Sequence, residues 1–345
     1  MPVDPQSPNR ILRIGFGFQA ASVLLAANKV GVFACLARNP ATLGQLSAEL
    51  RLHPRFAEDF LDSMVALKLL RRDAAGRYDN TADGAEFLVP GRPHYLGSLF
   101  RLMERNEYVS WGELSAALVD GLPRGRGALG DDLYGTLYDS EAHLREFASS
   151  MTALNLMAAP ALATAIEWER YATFADIGCA QGAQSVQLAL AHRHLTGTGF
   201  DLPAVAGIFN EYAQRHGVAD RLTFQDGDFF AGELPVADVH LFGHVLHNWS
   251  AGQRRELCDK SYRALNGHGA IIVQEAFIVQ EAFIDDERRG NVSGLLMSLH
   301  MRLQTRDGFD STTRDCRMWL EQAGFEQIQV LPLTGPDSIV VGFRP

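Results

Sequence analysis

From about residue 166 onward the chain repeats one pattern, a short apolar run followed by a stretch with helical spacing. The runs are "TFADIG", "TGTGFD", "LTFQDGDFF", "DVHLFGHVL", "GAIIVQEAF", "IQVLPL" and "SIVVGFR". Strands buried on both faces read as continuous apolar runs, and strands separated by helices are expected to run parallel. The pattern therefore predicts an α/β fold with a parallel, doubly wound sheet, in which ligands bind at the carboxyl ends of the strands. Nothing before residue 166 alternates in this way, so a second, mostly helical region is expected there.

A length of 345 residues suits two domains, or one domain with an appendage. Residues 10–36 form an apolar helical segment that ends at the turn-like "ARNPA". The stretch "TLGQLSAELRLHPRFAEDFLDSMVALKLL" has helical spacing broken near Pro54, and "RRDAAGRYDNTADG" places Gly76 at a hairpin turn. Helix, helix and ribbon are the order of a winged helix-turn-helix. DNA binding is nonetheless rejected. The recognition helix would offer Glu58, Asp59 and Asp62, where phosphate and base contacts need Arg, Lys or Asn. The formal charge of −10, from 31 Lys+Arg against 41 Asp+Glu, also disfavours a nucleic-acid partner. The segment reads as a packing or dimerisation module, and its first helix is too apolar to stand alone, which predicts a homodimer. We divide the chain at 1–100 (winged-helix-like dimerisation domain), 101–165 (helical linker contributing to a pocket) and 166–345 (ligand-binding domain). The chain start lacks an apolar signal core and no run of 18 apolar residues occurs, predicting a cytoplasmic protein without a membrane partner. Four scattered cysteines with no CxxC pair read as reduced, buried thiols.

The first strand of the second region opens "FADIGCAQGAQSVQLALAHRH". Gly178 and Gly182 let the backbone approach a ligand where this strand turns into a helix. The loop lacks the spacing of G-x-G-x-x-G and is not followed by Gly-Lys-Ser/Thr, so neither a dinucleotide nor a phosphate loop is present. The next strand ends in Asp201, 25 residues after Asp176, where a carboxylate can accept both ribose hydroxyls of a nucleoside. The following strand brings Asp228 beside Phe229 and Phe230, where an adenine would lie. Three acidic strand ends around one crevice would repel a pyrophosphate but suit a cationic nucleoside such as a sulfonium.

The ordered set "DIGCAQG", "GFDLPAV", "GDFF", "GHVLHNWS" and "LEQAGF" resembles class I S-adenosylmethionine-dependent methyltransferases. Among them the chain looks most like the small-molecule O-methyltransferases of the caffeate, hydroxyindole and bacterial polyketide-tailoring type. The resemblance covers nearly the whole chain. It implies a Rossmann-like catalytic domain, an N-terminal winged-helix dimerisation domain, and S-adenosylmethionine held by Asp176, Gly178, Gly182, Asp201, Leu202, Asp228, Phe229, Gly243, His244 and Trp249. Core packing would explain Trp249 equally well. The chain departs from the family pattern at Cys179 and Ala180, where glycine is usual, and at Asn248, where aspartate is common.

The same resemblance assigns His247 as general base, with Glu275 and Asp310 orienting it. A phenol of pKa ~10 facing an imidazole of pKa ~6.5 makes full proton transfer uphill by roughly 5 kcal/mol, so the base acts as the methyl moves. A carboxylate acceptor would need no base. His240, His244 and His247 crowd eight residues, and with His300 they raise the idea of a metal or a two-histidine site for C-methylation. No acid alternates with them at useful spacing, so we expect no metal. Acceptor-lining candidates are Phe147, Met151, Asn155, Met297, His300 and Met301, although Met and Phe at helical spacing are more often plain core.

A tandem hexamer complicates the assignment, since residues 272–277 and 278–283 both read "IVQEAF". A slip of six residues is even and keeps each side chain on its face, so Glu281 could replace Glu275 only by lengthening the tight connection after Gly269. We back Glu275 and expect the second copy to extend the following loop. The leading expectation is methyl transfer to a hydroxyl or carboxyl oxygen of a small aromatic acceptor. C- or N-methylation on the same fold, or a catalytically silent cofactor-binding protein, are the alternatives.

Overall fold

The computed structural model describes residues 8–125, 138, 140–275, 286–290, 292–333 and 338–345. The chain forms two compact units, Met1–Arg105 and Asn106–Pro345. The stretch read from sequence as a separate linker falls mostly within the second.

In the first unit the apolar N-terminal segment is three helices, Asn9–Gly15, Gly17–Val30 and Val32–Leu36, with Gly31 at φ +82° between the last two. Helices Leu43–Leu50 and Pro54–Ala66 follow. The first is capped by Thr42 and Gln45 in a reciprocal box, and the second starts on Pro54, whose missing N–H costs nothing at that position. A small antiparallel sheet completes the unit: β1 (Ala41–Thr42), β2 (Leu70–Arg72) and β3 (Arg77–Asn80), in the order β1-β3-β2. The β2–β3 hairpin turns at Gly76, φ +74°. Leu46, Leu61, Met64, Leu70 and Tyr78 form its core with Phe33 and Leu36. The first helix and the start of the second stay outside that core: Ile11, Ile14, Phe16 and Phe18 are all exposed. By length and composition alone the helical stretch Asn9–Val30 could cross a membrane, with a mean hydropathy of 1.4.

The second unit holds a seven-stranded sheet built from β4 (Thr173–Ile177), β5 (Thr196–Asp201), β6 (Leu222–Asp226), β7 (Ala237–Gly243), β8 (Leu265–Glu275), β9 (Glu326–Pro332) and β10 (Ser338–Phe343). The order is β6-β5-β4-β7-β8-β10-β9. The sheet is mixed, which corrects the all-parallel expectation: β10 runs antiparallel to both β8 and β9. Residues 333–337 alone join β9 to β10, too few for the crossover that parallel pairing demands.

Alternation along the strands sorts the core into two layers. Phe174, Leu241, Ala270, Ile272 and Val341 pack on one face, and Ala175, Phe242, Ile271, Val273 and Val340 on the other. Both faces are covered by helices, which is why the strands read as unbroken apolar runs. All four cysteines are buried and free.

Candidate active site

The chain starts its sheet at β4, moves outward to β5 and β6, then returns to the other side of β4 for β7 and β8. The order reverses at β4, and in sheets of this kind ligands bind beyond the carboxyl ends of the strands at such a point. Gly178 (φ +75°) and Gly182 (φ +83°) lie in the turn that leaves β4. A Cβ at Gly178 would lie 2.7 Å from Val245 Cγ2, and one at Gly182 would lie 2.6 Å from the Phe209 ring. Glycine is therefore required twice, by conformation and by space. Ala180 adopts φ +46° without being glycine, and its N–H donates to Asp201 Oδ2 at 2.8 Å, which holds the substituted turn in place.

Asp201 ends β5, and its other oxygen accepts the Leu202 N–H at 2.7 Å. A carboxylate has about four lone-pair sites, so the two remaining suit a pair of vicinal hydroxyls. Burial raises Asp201 to about 6 in spite of these two bonds. Asp176 is buried deeper, accepts from Ser185 Oγ at 2.7 Å, and is also lifted to about 6, chiefly by burial. Asp228 is exposed, and its side chain accepts the Phe230 N–H at 2.8 Å. Phe229 and Phe230 meet Trp249 edge to face at 5.6 and 4.8 Å, forming an aromatic wall past the end of β6.

Gly243 ends β7, and any Cβ there would strike the Gln184 side chain. Gln184 Nε2 donates to Gln274 Oε1 at 2.7 Å and to Asn155 Oδ1 at 3.4 Å. Asn155 is thus tied into an amide network at the strand ends. His244 takes φ +57°, its N–H donating to the Gln274 carbonyl at 2.9 Å, and burial lowers its imidazole to about 3. His240 is a core residue between Ser261 Oγ and the Pro235 carbonyl, at 2.9 and 2.8 Å.

His247 sits in a short turn, Leu246–Asn248, that follows β7. Asn248 holds the turn by donating to the carbonyls of His244 and Val245 at 3.2 and 3.1 Å, something an aspartate could not do. His247 Nδ1 lies 3.2 Å from Glu275 Oε2 and 3.4 Å from Asp310 Oδ1, and all three side chains are buried. Glu275 is the last residue of β8, with Gln274 paired to Gly243, so residues 272–275 of the first hexamer copy lie in the strand. Glu281 and the second copy lie outside the described residues. Burial opposes the imidazolium, but the charges of Glu275 and Asp310 outweigh it and raise His247. The three residues offer ligand atoms within 4.8 Å of one another, a geometry that would also admit a cation.

Arg254, which the sequence reading passed over, braces this group. Its guanidinium is buried over the Phe309 ring at 3.9 Å and donates to the carbonyls of Trp249 at 2.8 Å, His247 at 3.3 Å and Phe309. Gln184 and Gln274 were missed too. All three lie within regular elements, and only the cost of burying an unpaired polar group marks them.

Phe147, Met151 and Asn155 lie four residues apart on the helix Glu141–Leu162, one partly buried stripe. Met297, His300 and Met301 lie on the helix Val292–Gln304, where Met301 is buried in the core. His300 accepts the Trp111 indole N–H at 3.2 Å, and burial lowers it to about 4.

Comparison with known proteins gives the family. Residues 111–326 match the O-methyltransferase domain and residues 12–90 the O-methyltransferase dimerisation domain. The chain is 35% identical to the tetracenomycin polyketide synthesis 8-O-methyl transferase TcmO of Streptomyces glaucescens, over 99% of this chain and 98% of the relative. It is 33% identical to the N,N-dimethyltransferase OxyT of Streptomyces rimosus, over 100% and 99%. Human N-acetylserotonin methyltransferase, solved in complex with SAM, superposes with a TM-score of 0.89 at 27% identity, covering 100% of this chain and 99% of that one. The chain belongs to the O-methyltransferase family and is an S-adenosylmethionine-dependent methyltransferase with an N-terminal dimerisation domain.

Proposed function

We propose that the chain methylates a hydroxyl oxygen of a small aromatic acceptor, with His247 as general base held by Glu275 and Asp310. The observation that carries this is the imidazole Nδ1 lying 3.2 and 3.4 Å from two buried carboxylates. With Nδ1 turned to the acids, Nε2 is the nitrogen assigned to take the acceptor's proton. The carboxylates raise its basicity, which narrows the gap to a phenol, and they stabilise the imidazolium once it forms. S-adenosylmethionine, when bound, supplies an electrophilic methyl group. Gly178, Gly182, Asp201, Leu202 and Gly243 would hold its nucleoside and methionine parts, and Phe229 and Trp249 its adenine. Alignment of acceptor and methyl supplies most of the acceleration, and the base removes one proton. The N,N-dimethyltransferase relative supports a second reading, an amine acceptor that must be neutral to react.

Incubation with deuterated S-adenosylmethionine and paired phenol and aniline acceptors, followed by mass spectrometry, separates the two. Label on oxygen supports the first reading, and label on nitrogen alone replaces it with the second. We assign the three side chains to a proton and not to a cation. Activity that a chelator abolishes and a divalent ion restores would reverse that assignment. The exposed apolar helix and the dimerisation match support a homodimer, which light scattering at micromolar concentration would contradict by reporting a monomer.

A further inference from the structure

Glu107, Trp111 and His300 form a second polar cluster in the catalytic unit that the reaction itself does not use. Glu107 ends a π-helical turn, Met103–Glu107, and Trp111 lies on the helix Tyr108–Gly112 that follows. Gln304 Nε2 bonds Ser110 Oγ, fastening that helix to the one carrying His300. The Trp111 and His300 rings lie within 14° of parallel, with centroids 6.3 Å apart.

The indole N–H is a donor only, so the His300 Nδ1 that receives it at 3.2 Å must present a lone pair. His300 is then neutral with its proton on Nε2. Burial, which lowers its pKa to about 4, maintains that form. The Nε2–H faces Glu107 Oε1 across 3.9 Å. That is beyond a direct N–H···O bond, but one oxygen can sit at about 2.8 Å from each partner. That oxygen accepts from His300 and donates to Glu107 when the acid is ionised, as a hydroxyl does and as a water would in its absence; burial pushes Glu107 up to about 7.

Resting on the acceptor-pocket reading above, we propose that Glu107 and His300, set by Trp111, form a clamp for a second hydroxyl of a polyhydroxylated aromatic acceptor. The group held here is not the one methylated. It fixes which ring position is presented to His247.

The test measures equilibrium binding by calorimetry to the S-adenosylhomocysteine-loaded protein, with 1-naphthol and 1,3-, 1,5- and 1,8-dihydroxynaphthalene as probes. At least one diol should bind tenfold or more tightly than 1-naphthol. In Glu107→Ala that ratio should fall to within threefold of unity, and in Glu107→Gln, which keeps an acceptor oxygen, it should fall only part of the way. S-adenosylhomocysteine affinity reports that each variant is folded. No preference for any diol, no binding of any diol, or a preference that survives Glu107→Ala would overturn the clamp. Binding without turnover leaves the clamp standing and counts instead against the methylation reading.

Discussion

The two ends of the proposed site are built by different means. At the cofactor end the parts are close in sequence: the turn after β4 meets the end of β5, and backbone N–H groups engage Asp201 from Ala180 and Leu202. At the chemical end, His247, Glu275 and Asp310 arrive from three segments separated by 28 and 35 residues, and their buried charges answer one another. His244 and His247 show the contrast within one turn. Burial, above all, drives the first down to about 3, whereas two carboxylates carry the second upward. A local motif makes a ligand cradle from backbone, but a tuned base requires charges that only the fold can gather.

If this division is right, the ends should fail separately. His247→Ala should cut turnover by about 10²–10⁴-fold with cofactor affinity nearly unchanged, as loss of a general base does. Calorimetry beside steady-state kinetics checks both halves, and equal losses in each would merge the two ends. Asp201→Ala should weaken S-adenosylmethionine binding by about 2–3 kcal/mol if its ribose bonds are charge-assisted. Unchanged affinity would remove Asp201 from the cofactor site.

Glu275→Gln tests the coupling inside the chemical end. Turnover should fall by about 10–100-fold, in the range for an outer residue that orients a functional imidazole. The pH profile gives the sharper reading. A base raised by carboxylates has its acid limb of kcat/KM above the ordinary imidazole value of 6.5, and losing the Glu275 charge should move that limb to lower pH. A limb that stays in place would make Glu275 purely structural.

The smallest effect concerns stability at the cofactor end. Asp176 is raised from 3.8 to about 6. Between those values the folded chain holds more protons than the unfolded one, so this contribution favours folding at low pH and is lost as pH rises through 6. An asparagine at this position mimics the protonated acid, so Asp176→Asn should stabilise the cofactor-free protein by about 1–3 kcal/mol at a pH of about 7.5 and by little near a pH of about 4. Thermal melts at the two pH values decide it.

Much of the crevice was legible because strand-end residues follow strand boundaries, and β4, β5 and β7 announce themselves as apolar runs. Asp201 and Gly178 could be placed at strand ends from the sequence, and Gly243 came with the family resemblance. The antiparallel β10 could not, because "SIVVGFR" is as apolar as its parallel neighbours and nothing in its side chains encodes direction. Asn155 was read as an acceptor contact, and its bond from Gln184 was not legible in the sequence. Arg254 escaped notice because a lone arginine on a helix usually snorkels to solvent. Here Trp249, His247 and Phe309 supply carbonyls that no local pattern foretells.

Periodicity and turn chemistry, both short-range, were enough to establish the alternating α/β order, the glycine turn and the acidic strand ends. Family likeness carried the register of Glu275. The fold alone settled the direction of β10, the opposite pulls of burial and charge on His244 and His247, and the cluster of Glu107, Trp111 and His300. Each of these depends on groups far apart in the chain, whose mutual distance and shared desolvation exist only once the chain has packed.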